Sequence, residues 1–350
     1  MTKSKANPTK YILTIFNIFS ILNILNISSI FKLLNISNIL RRFLKLKKGR
    51  VVVLTNLKGG VGKTTDTDLL AIVASKPALF NQKVLLIDVD LQANTTNNIK
   101  RTFNVNQFPQ SFVKAAQTGT LKNAIMPLTE NLDIIAGSIA EHELVDSIID
   151  NSKNKRERYF YFKKMVDEIR PKYDYIFFDV APSTDSVVDA IIMVTDYIIA
   201  VQEVKRMAME GTSNFISNYL QPMLNNFPNE AQFQVAGILP ALLSSRKKTQ
   251  LLNYKKTVAR YGEDNVFHTI VKNHDRLEAF GENGFSLNDY NDRKMFALFA
   301  DLFTELELRI ESFEKTGDVK DFRYESHYFD SMTNTTLPAG KEIQLDGIAE

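Results

Sequence analysis

Cysteine is absent from the 350-residue sequence. This absence excludes a disulfide framework, a thiolate metal site, an iron–sulfur cluster and a cysteine nucleophile, and it fits a cytosolic protein. Histidine is scarce as well, because the chain has only four such residues and their spacing is not that of metal ligands. The sequence therefore predicts neither structural zinc nor thiol chemistry.

An excess of charge of one sign is also lacking. The chain has 43 Lys and Arg residues against 40 Asp and Glu residues, which gives a formal net charge of +3. Overall charge therefore gives no reason to expect nucleic acid as a partner. Any attraction to phosphate has to come from local clusters of cations.

No uninterrupted apolar run is long enough to cross a membrane. Residues 11–40 are rich in Ile and Leu, but five Asn residues interrupt them, and a spanning helix needs about 20 apolar residues. Their apolar pairs recur every three residues, which matches neither the helical nor the strand period. We interpret residues 1–48 as a low-complexity Ile/Leu/Asn-rich extension, either dispensable or a surface helix that binds a membrane or a partner.

From Val51 onward, short apolar runs alternate with longer segments of helical character. This pattern is typical of an α/β fold, and it predicts a mostly parallel sheet of seven to eight strands with helices on both faces. Ligands of such sheets bind beyond the carboxyl ends of the strands. The predicted strands are 51–56, 83–88, 132–136, 175–179, 197–201, 235–240 and 266–270, and the predicted helices are 141–170, 203–227, 244–262 and 291–313.

A glycine-rich loop follows the first predicted strand and precedes a helix. Residues 58–65 read KGGVGKTT. The glycines at 59, 60 and 62 permit left-handed backbone, which turns successive N–H groups toward one point, and the following helix directs its positive end there. That point suits a phosphate, with Lys63 neutralising the β and γ oxygens and Thr64 completing a Mg²⁺ shell. The predicted binding residues are Lys58, Gly59, Gly60, Val61, Gly62, Lys63, Thr64 and Thr65.

This loop departs from the common phosphate-loop pattern. Leu57 stands at the position of the usual first glycine, and a second lysine, Lys58, stands at the loop entrance. In both respects the loop resembles the deviant Walker A motif of the ParA/MinD class of P-loop ATPases, whose entrance lysine reaches across a dimer interface to the partner's nucleotide. The resemblance covers about residues 50–310. It implies ATP and Mg²⁺ as cofactors, slow ATP hydrolysis and a homodimer that forms on ATP binding.

Two further segments carry the resemblance. VLLIDVDLQANTT resembles the family's switch segment, which implies that Asp90 orients the attacking water and that Asp88 supports Mg²⁺ and the phosphate loop. Leu91 stands where the family has proline, so the fixed φ of proline is lost. YDYIFFDVAPS resembles the family's Walker B strand, which implies that Asp179 holds Mg²⁺, although Ala181 replaces the first of two usual prolines.

A cluster of cations lies near the end of the predicted sheet. Residues 246–260 contain six cations and no acid, which fits either a solvated helix face or a stripe that follows a phosphate backbone. The segment resembles the place where ParA proteins contact DNA without sequence preference. We predict nonspecific binding of double-stranded DNA through five residues. They are Arg246, Lys247, Lys248, Lys255 and Lys256.

Residues 269–302 are most similar to ParA-type plasmid-partition proteins of Gram-positive bacteria. In those relatives a centromere-binding protein of the ParB or ribbon–helix–helix type stimulates hydrolysis. We therefore expect a cytoplasmic, nucleoid-associated partition ATPase, with an ATPase domain at 49–314 and a polar, flexible tail at 315–350. Two alternatives stay open, a MinD-like membrane-cycling ATPase and a nucleotide-gated scaffold or regulator with negligible turnover.

Overall fold

Eight strands form one sheet in the part of the chain that the structure describes. The structure is a computed structural model, and it describes residues 49–138, 141–243, 248–286 and 290–326. The strands are β1 Arg50–Thr55, β2 Val84–Asp88, β3 Met126–Pro127, β4 Leu132–Ile135, β5 Tyr175–Asp179, β6 Tyr197–Glu203, β7 Gln234–Leu243 and β8 Val271–Lys272. Their order is β3-β4-β2-β5-β1-β6-β7-β8. Only β3 pairs antiparallel; the other neighbours are parallel.

Helices cover both faces of the sheet. For this reason β2, β5 and β6 are buried at every residue, and their sequences are continuously apolar instead of alternating. Within the described residues, none of the helices combines the length and the apolar character that a membrane-spanning segment needs. The helices are α1 Lys63–Ser75, α2 Asn94–Phe103, α3 Phe112–Gln117, α4 Glu141–Asp150, α5 Lys155–Tyr159, α6 Lys163–Ile169, α7 Ser186–Val194, α8 Arg206–Asn214, α9 Gln221–Asn226, α10 Lys248–Tyr261, α11 Asp275–Asn283 and α12 Tyr290–Thr316.

Two apolar cores lie on the two faces of the sheet. On one face α1 and α12 pack against the sheet and against each other, and the Phe303 ring of α12 lies 5.1 Å from the Tyr175 ring of β5. On the other face the buried ring of Phe112 packs against the buried rings of Phe162 and Phe178. Each such side chain contributes roughly 1.5–3 kcal/mol by leaving water. The cores therefore hold the central strands, and with them the loop after β1, in fixed positions.

The predicted α/β fold with a mostly parallel sheet is confirmed, and two parts of the sequence prediction are corrected. The last strand is not 266–270: Val266 makes only an isolated bridge to Ile238, and β8 follows it. The single helix predicted over 141–170 is three helices. The side chain of Asn154 accepts a hydrogen bond from the Glu157 amide and so caps the second of them, a capping preference that an apolar pattern does not reveal.

The chain that follows α12 is packed against it. Val319 and Ser326 are buried, and the hydroxyls of Tyr324 and Ser326 both donate to the carboxylate of Asp301. The predicted flexible tail is therefore corrected for residues 315–326. Residues 327–350 and the predicted extension 1–48 lie outside the described residues, so both stay predictions.

Candidate functional site

The glycine loop joins β1 to α1 near the middle of the sheet, at the carboxyl end of the strand. Gly60 and Gly62 have φ values of 70° and 91°, a left-handed conformation that strains any residue with a Cβ. Gly59 lies outside that region, so the predicted need for left-handed backbone holds for two of the three glycines. A Cβ at Gly59 would only contact Pro182, at 3.8 Å.

Lys63 lies inside the loop with 7% of its surface exposed. Its Nζ donates to the carbonyl oxygen of Lys58 at 3.2 Å, which closes the loop on itself. Burial lowers the pKa of Lys63, while the nearby carboxylates of Asp179 and Asp90 act in the opposite direction. A largely buried ammonium in a glycine-rich loop at the start of a helix is an arrangement that suits a phosphate group.

Two hard oxygen donors meet beside the loop. The hydroxyl of Thr64 donates to Asp179 Oδ1 at 3.2 Å. Burial and the neighbouring carboxylate of Asp88 raise the pKa of Asp179 well above its usual range. A bound divalent cation would neutralise part of the negative charge of Asp179 and Asp88. Mg²⁺ usually takes phosphate and water oxygens in addition to one or two carboxylates.

Asp88 is held from several directions. Its Oδ2 accepts hydrogen bonds from the amide and hydroxyl of Thr96 at 2.8 and 2.6 Å, and its Oδ1 accepts from the Asp90 amide at 3.2 Å. Burial raises the pKa of Asp88 to about 6. In the sheet register Asp88 is paired with Asp179. Asp88 is therefore placed to support Asp179 and the following turn.

The turn after β2 brings Asp90 to the site. Oδ1 of Asp90 accepts from the Gln92 amide at 3.0 Å, and its carbonyl accepts from the Ala93 amide at 2.9 Å. Ala93 has a φ of 50°, which costs a residue other than glycine on the order of 1 kcal/mol or more. The turn thus forms with Leu91 where the resemblance leads one to expect proline.

Sequence reasoning missed a polar chain behind the predicted metal ligands Thr64 and Asp179. The hydroxyl of Thr95 lies 2.6 Å from Asp68 Oδ1 and 3.0 Å from Asp179 Oδ2, and the side-chain amide of Asn98 donates to Asp68. Burial raises the pKa of Asp68 to about 7. The available signal was that two carboxylates, Asp66 and Asp68, directly precede the apolar run of α1 that begins at Leu69.

The entrance lysine has a partner within its own chain. Nζ of Lys58 lies 2.5 Å from Glu203 Oε2, and the other carboxylate oxygen of Glu203 binds Lys205. Glu203 is nearly buried, whereas the Lys58 side chain is 48% exposed. The family resemblance implies that this lysine contacts the partner's nucleotide. In this structure it instead forms an ion pair with Glu203 of its own chain.

A cavity of about 500 Å³ opens beside the phosphate loop. This volume lies within the range of small-molecule sites. The loop and Thr65 line one part of the cavity, and Val271 of β8 and Leu277 of α11 line another. A nucleotide whose phosphates occupy the loop would place its nucleoside half here.

The candidate DNA-binding residues are divided between described and undescribed parts of the chain. Lys248, Lys255 and Lys256 are exposed on α10, and no ion pair to an acid is seen for them within the described residues. Arg246 and Lys247 lie outside those residues. The same helix exposes Leu251 and Leu252 by 41% and 52%.

Comparisons with known proteins agree with this geometry. A family model described as AAA domain matches residues 49–229. The sporulation initiation inhibitor protein Soj of Bacillus subtilis is 27% identical over 267 residues, covering 74% of this chain and 98% of that protein. The chromosome-partitioning ATPase Soj of Treponema pallidum is 26% identical over 249 residues, covering 69% and 90%.

The fold has a counterpart among solved structures. A putative plasmid partition protein of Borrelia burgdorferi B31, bound to AMPPNP, aligns with a TM-score of 0.57 at 24% identity, covering 77% of this chain and 99% of that one. This likeness concerns the fold, while the family match spans the phosphate loop and the strands that carry Asp88 and Asp179. The chain belongs to the AAA domain family, and it is a P-loop ATPase of the ParA/MinD type.

Proposed function

We propose that this ATPase partitions plasmid or chromosomal DNA. In this proposal the chain binds ATP and Mg²⁺, forms a homodimer and binds double-stranded DNA without sequence preference. A centromere-binding partner of the ParB or ribbon–helix–helix type then stimulates hydrolysis and returns the chain to monomers. The name of the Treponema pallidum relative, a chromosome-partitioning ATPase, supports the partition role. The protein would then be cytoplasmic and nucleoid-associated.

The observation that carries the ATPase half is the meeting of Lys63, Thr64 and Asp179 at one loop. Lys63 would neutralise β and γ oxygens, and Thr64 and Asp179 would hold Mg²⁺, directly or through water. Phosphoryl transfer to water requires positioning and charge neutralisation more than covalent chemistry. Asp90, whose charge acts on Lys63, would orient the water. Lys58 of the partner copy would add one further positive charge at the phosphates. With no other catalytic group, we expect slow turnover.

The DNA half rests on α10. Its exposed cations recur at helical spacing and have no acid before Glu263, so the face can follow a phosphate backbone. The hydroxyl of Thr257 on the buried side of α10 accepts from the Gln202 amide at 2.7 Å. Gln202 directly precedes Glu203, the partner of Lys58. These contacts connect Lys58, beside the nucleotide site, with the proposed DNA-binding face of α10.

Substitution of Lys63 tests the proposal. We expect Lys63→Ala to reduce ATP hydrolysis by at least about a hundredfold, since loss of one charge-stabilising donor costs on the order of 2.7–4 kcal/mol. ATP-dependent retention on nonspecific DNA should be lost in the same variant. Lys164→Ala, which removes an exposed lysine of α6, is the matched control. Undiminished hydrolysis by purified Lys63→Ala protein would contradict the proposal.

A further inference from the structure

One oxygen of the buried Asp66 carboxyl group has no partner within the described part of the chain. Asp66 lies in the first turn of α1 with 2% of its surface exposed, and among the described residues no group hydrogen-bonds its Oδ2. Asp68, one half-turn later, accepts from Thr95 and Asn98 instead. Buried polar groups in native proteins are almost always hydrogen-bonded, so an exception of this kind calls for an explanation.

The position of Asp66 provides one. Asp66 is one of the residues that line the cavity beside the phosphate loop, together with Gly62 and Thr65. Oδ2 lies 3.6 Å from the point that a Cβ on Gly62 would occupy. A nucleotide held by the loop extends from Thr65 into the same cavity. The unpartnered oxygen is therefore close to the place where the ribose and base of a bound nucleotide would lie.

The cavity has two chemically different ends. The loop presents backbone N–H groups and suits an anion. Away from the loop, the polar lining includes the carboxylate of Glu278 and the amides of Gln250 and Asn273. With Asp66, these side chains offer several acceptor oxygens. A ligand with an anionic end and an end rich in hydrogen-bond donors fits such a cavity, and nucleotides have this character.

We propose that Asp66 is a specificity residue whose carboxyl group accepts a hydrogen bond from the nucleoside half of the bound nucleotide. The donor is a ribose hydroxyl or the exocyclic amine of the base. This inference rests on the proposed ATP site and deepens it. Lys63 and Thr64 bind the triphosphate, which is common to all nucleoside triphosphates. Asp66 selects among nucleoside triphosphates by their ribose or base.

Calorimetric titration in the presence of Mg²⁺ tests the inference. The ligands are ATP, 2′-deoxy-ATP, 3′-deoxy-ATP and purine riboside triphosphate, and the proteins are the wild type, Asp66→Leu and Asp66→Asn. We expect the wild type to bind the analogue without the contacted donor about tenfold more weakly than ATP, because one hydrogen bond contributes roughly a factor of ten. The analogue that loses affinity identifies the ribose or the base as the source.

The variants separate recognition from packing. Asp66→Leu has a similar size and removes an unpartnered buried polar group, so we expect it to unfold at the wild-type temperature or above. It should bind ATP about tenfold more weakly than the wild type, and equally with the discriminating analogue. Asp66→Asn keeps an acceptor oxygen and should keep the discrimination.

Two outcomes would overturn the role of Asp66. One is wild-type protein that binds all four nucleotides equally. The other is Asp66→Leu protein that loses the same factor for every nucleotide, which indicates a packing effect. If the proposed ATPase function itself is wrong, the result is a different one: the wild-type protein binds no ATP at all.

Discussion

Asp88 shows how closely one carboxylate of the site is confined. An added Cβ at Gly137, just after β4, would lie 2.8 Å from Asp88 Cγ. The Asp88 side chain cannot move away from such a Cβ without breaking hydrogen bonds, because Thr96 and the Asp90 amide bind both of its oxygens. The Gly137 amide also donates to the Thr96 hydroxyl at 2.8 Å. The site therefore requires a residue without a side chain at position 137.

We expect Gly137→Ala to displace Asp88 and the turn that carries Asp90. ATP hydrolysis should fall by roughly tenfold or more, since small displacements of positioning groups are costly. The control is Gly281→Ala, in the exposed part of α11, where an added Cβ meets nothing within 4 Å. Steady-state ATPase rates and melting temperatures of both variants check this. Wild-type activity of folded Gly137→Ala protein would contradict it.

At this scale the sequence predicted the residues that stand inside contiguous motifs, such as Lys63, Thr64 and Asp179. It did not predict Gly137 or Glu203. Each is brought to the site by strand pairing over a long separation, and each lacks a local signature: Glu203, for example, is 145 positions from Lys58. A single sequence carries no trace of such contacts.

Among the elements, α10 has the clearest functional prediction. We expect Lys255→Glu with Lys256→Glu to weaken ATP-dependent binding to a nonspecific duplex by on the order of tenfold or more. The slope of affinity against salt should fall by about two, one phosphate contact per lysine. Affinity for ATP should not change. Fluorescence anisotropy across a salt series provides both quantities.

The matched control for α10 has the same charge change away from that helix. Lys164→Glu with Lys172→Glu replaces two exposed lysines, and Lys172 lies three residues before the first residue of β5. We expect this control to bind DNA nearly as well as the wild type. Equal losses in both double variants would show that net charge, and not the face of α10, governs the binding.

The elements themselves were predictable where they are long and apolar. The central strands appeared in the sequence as continuous runs because both of their faces are buried. The edge strands β3 and β8 have two residues each, too few for any periodicity. Pairing with a neighbour, not local preference, creates them.

For the whole molecule, the position of Lys58 is the central question. Its side chain is about half exposed, whereas Glu203 is nearly buried. Lys205 binds the other oxygen of Glu203, so the carboxylate would keep one cationic partner after Lys58 leaves. We propose that the lysine leaves Glu203 when two copies meet around ATP, and that it then contacts the partner's phosphates.

Mixing two inactive variants tests this arrangement. Lys58→Ala and Lys63→Ala should each hydrolyse ATP poorly. In an equal mixture half of the dimers contain one copy of each, and one of their two sites receives Lys63 from its own chain and Lys58 from the other. Activity should recover to roughly a quarter of the wild-type value, since dimers form by random pairing of equivalent surfaces.

The control mixture combines Lys58→Ala with the double variant Lys58→Ala, Lys63→Ala, in which no pairing assembles a complete site. Here activity should stay at the level of the single variants. Recovery in the first mixture and not in the second requires that the two lysines of one working site come from different chains. If neither mixture recovers while both variants still bind ATP, Lys58 acts within its own chain, and Glu203 is then its working partner.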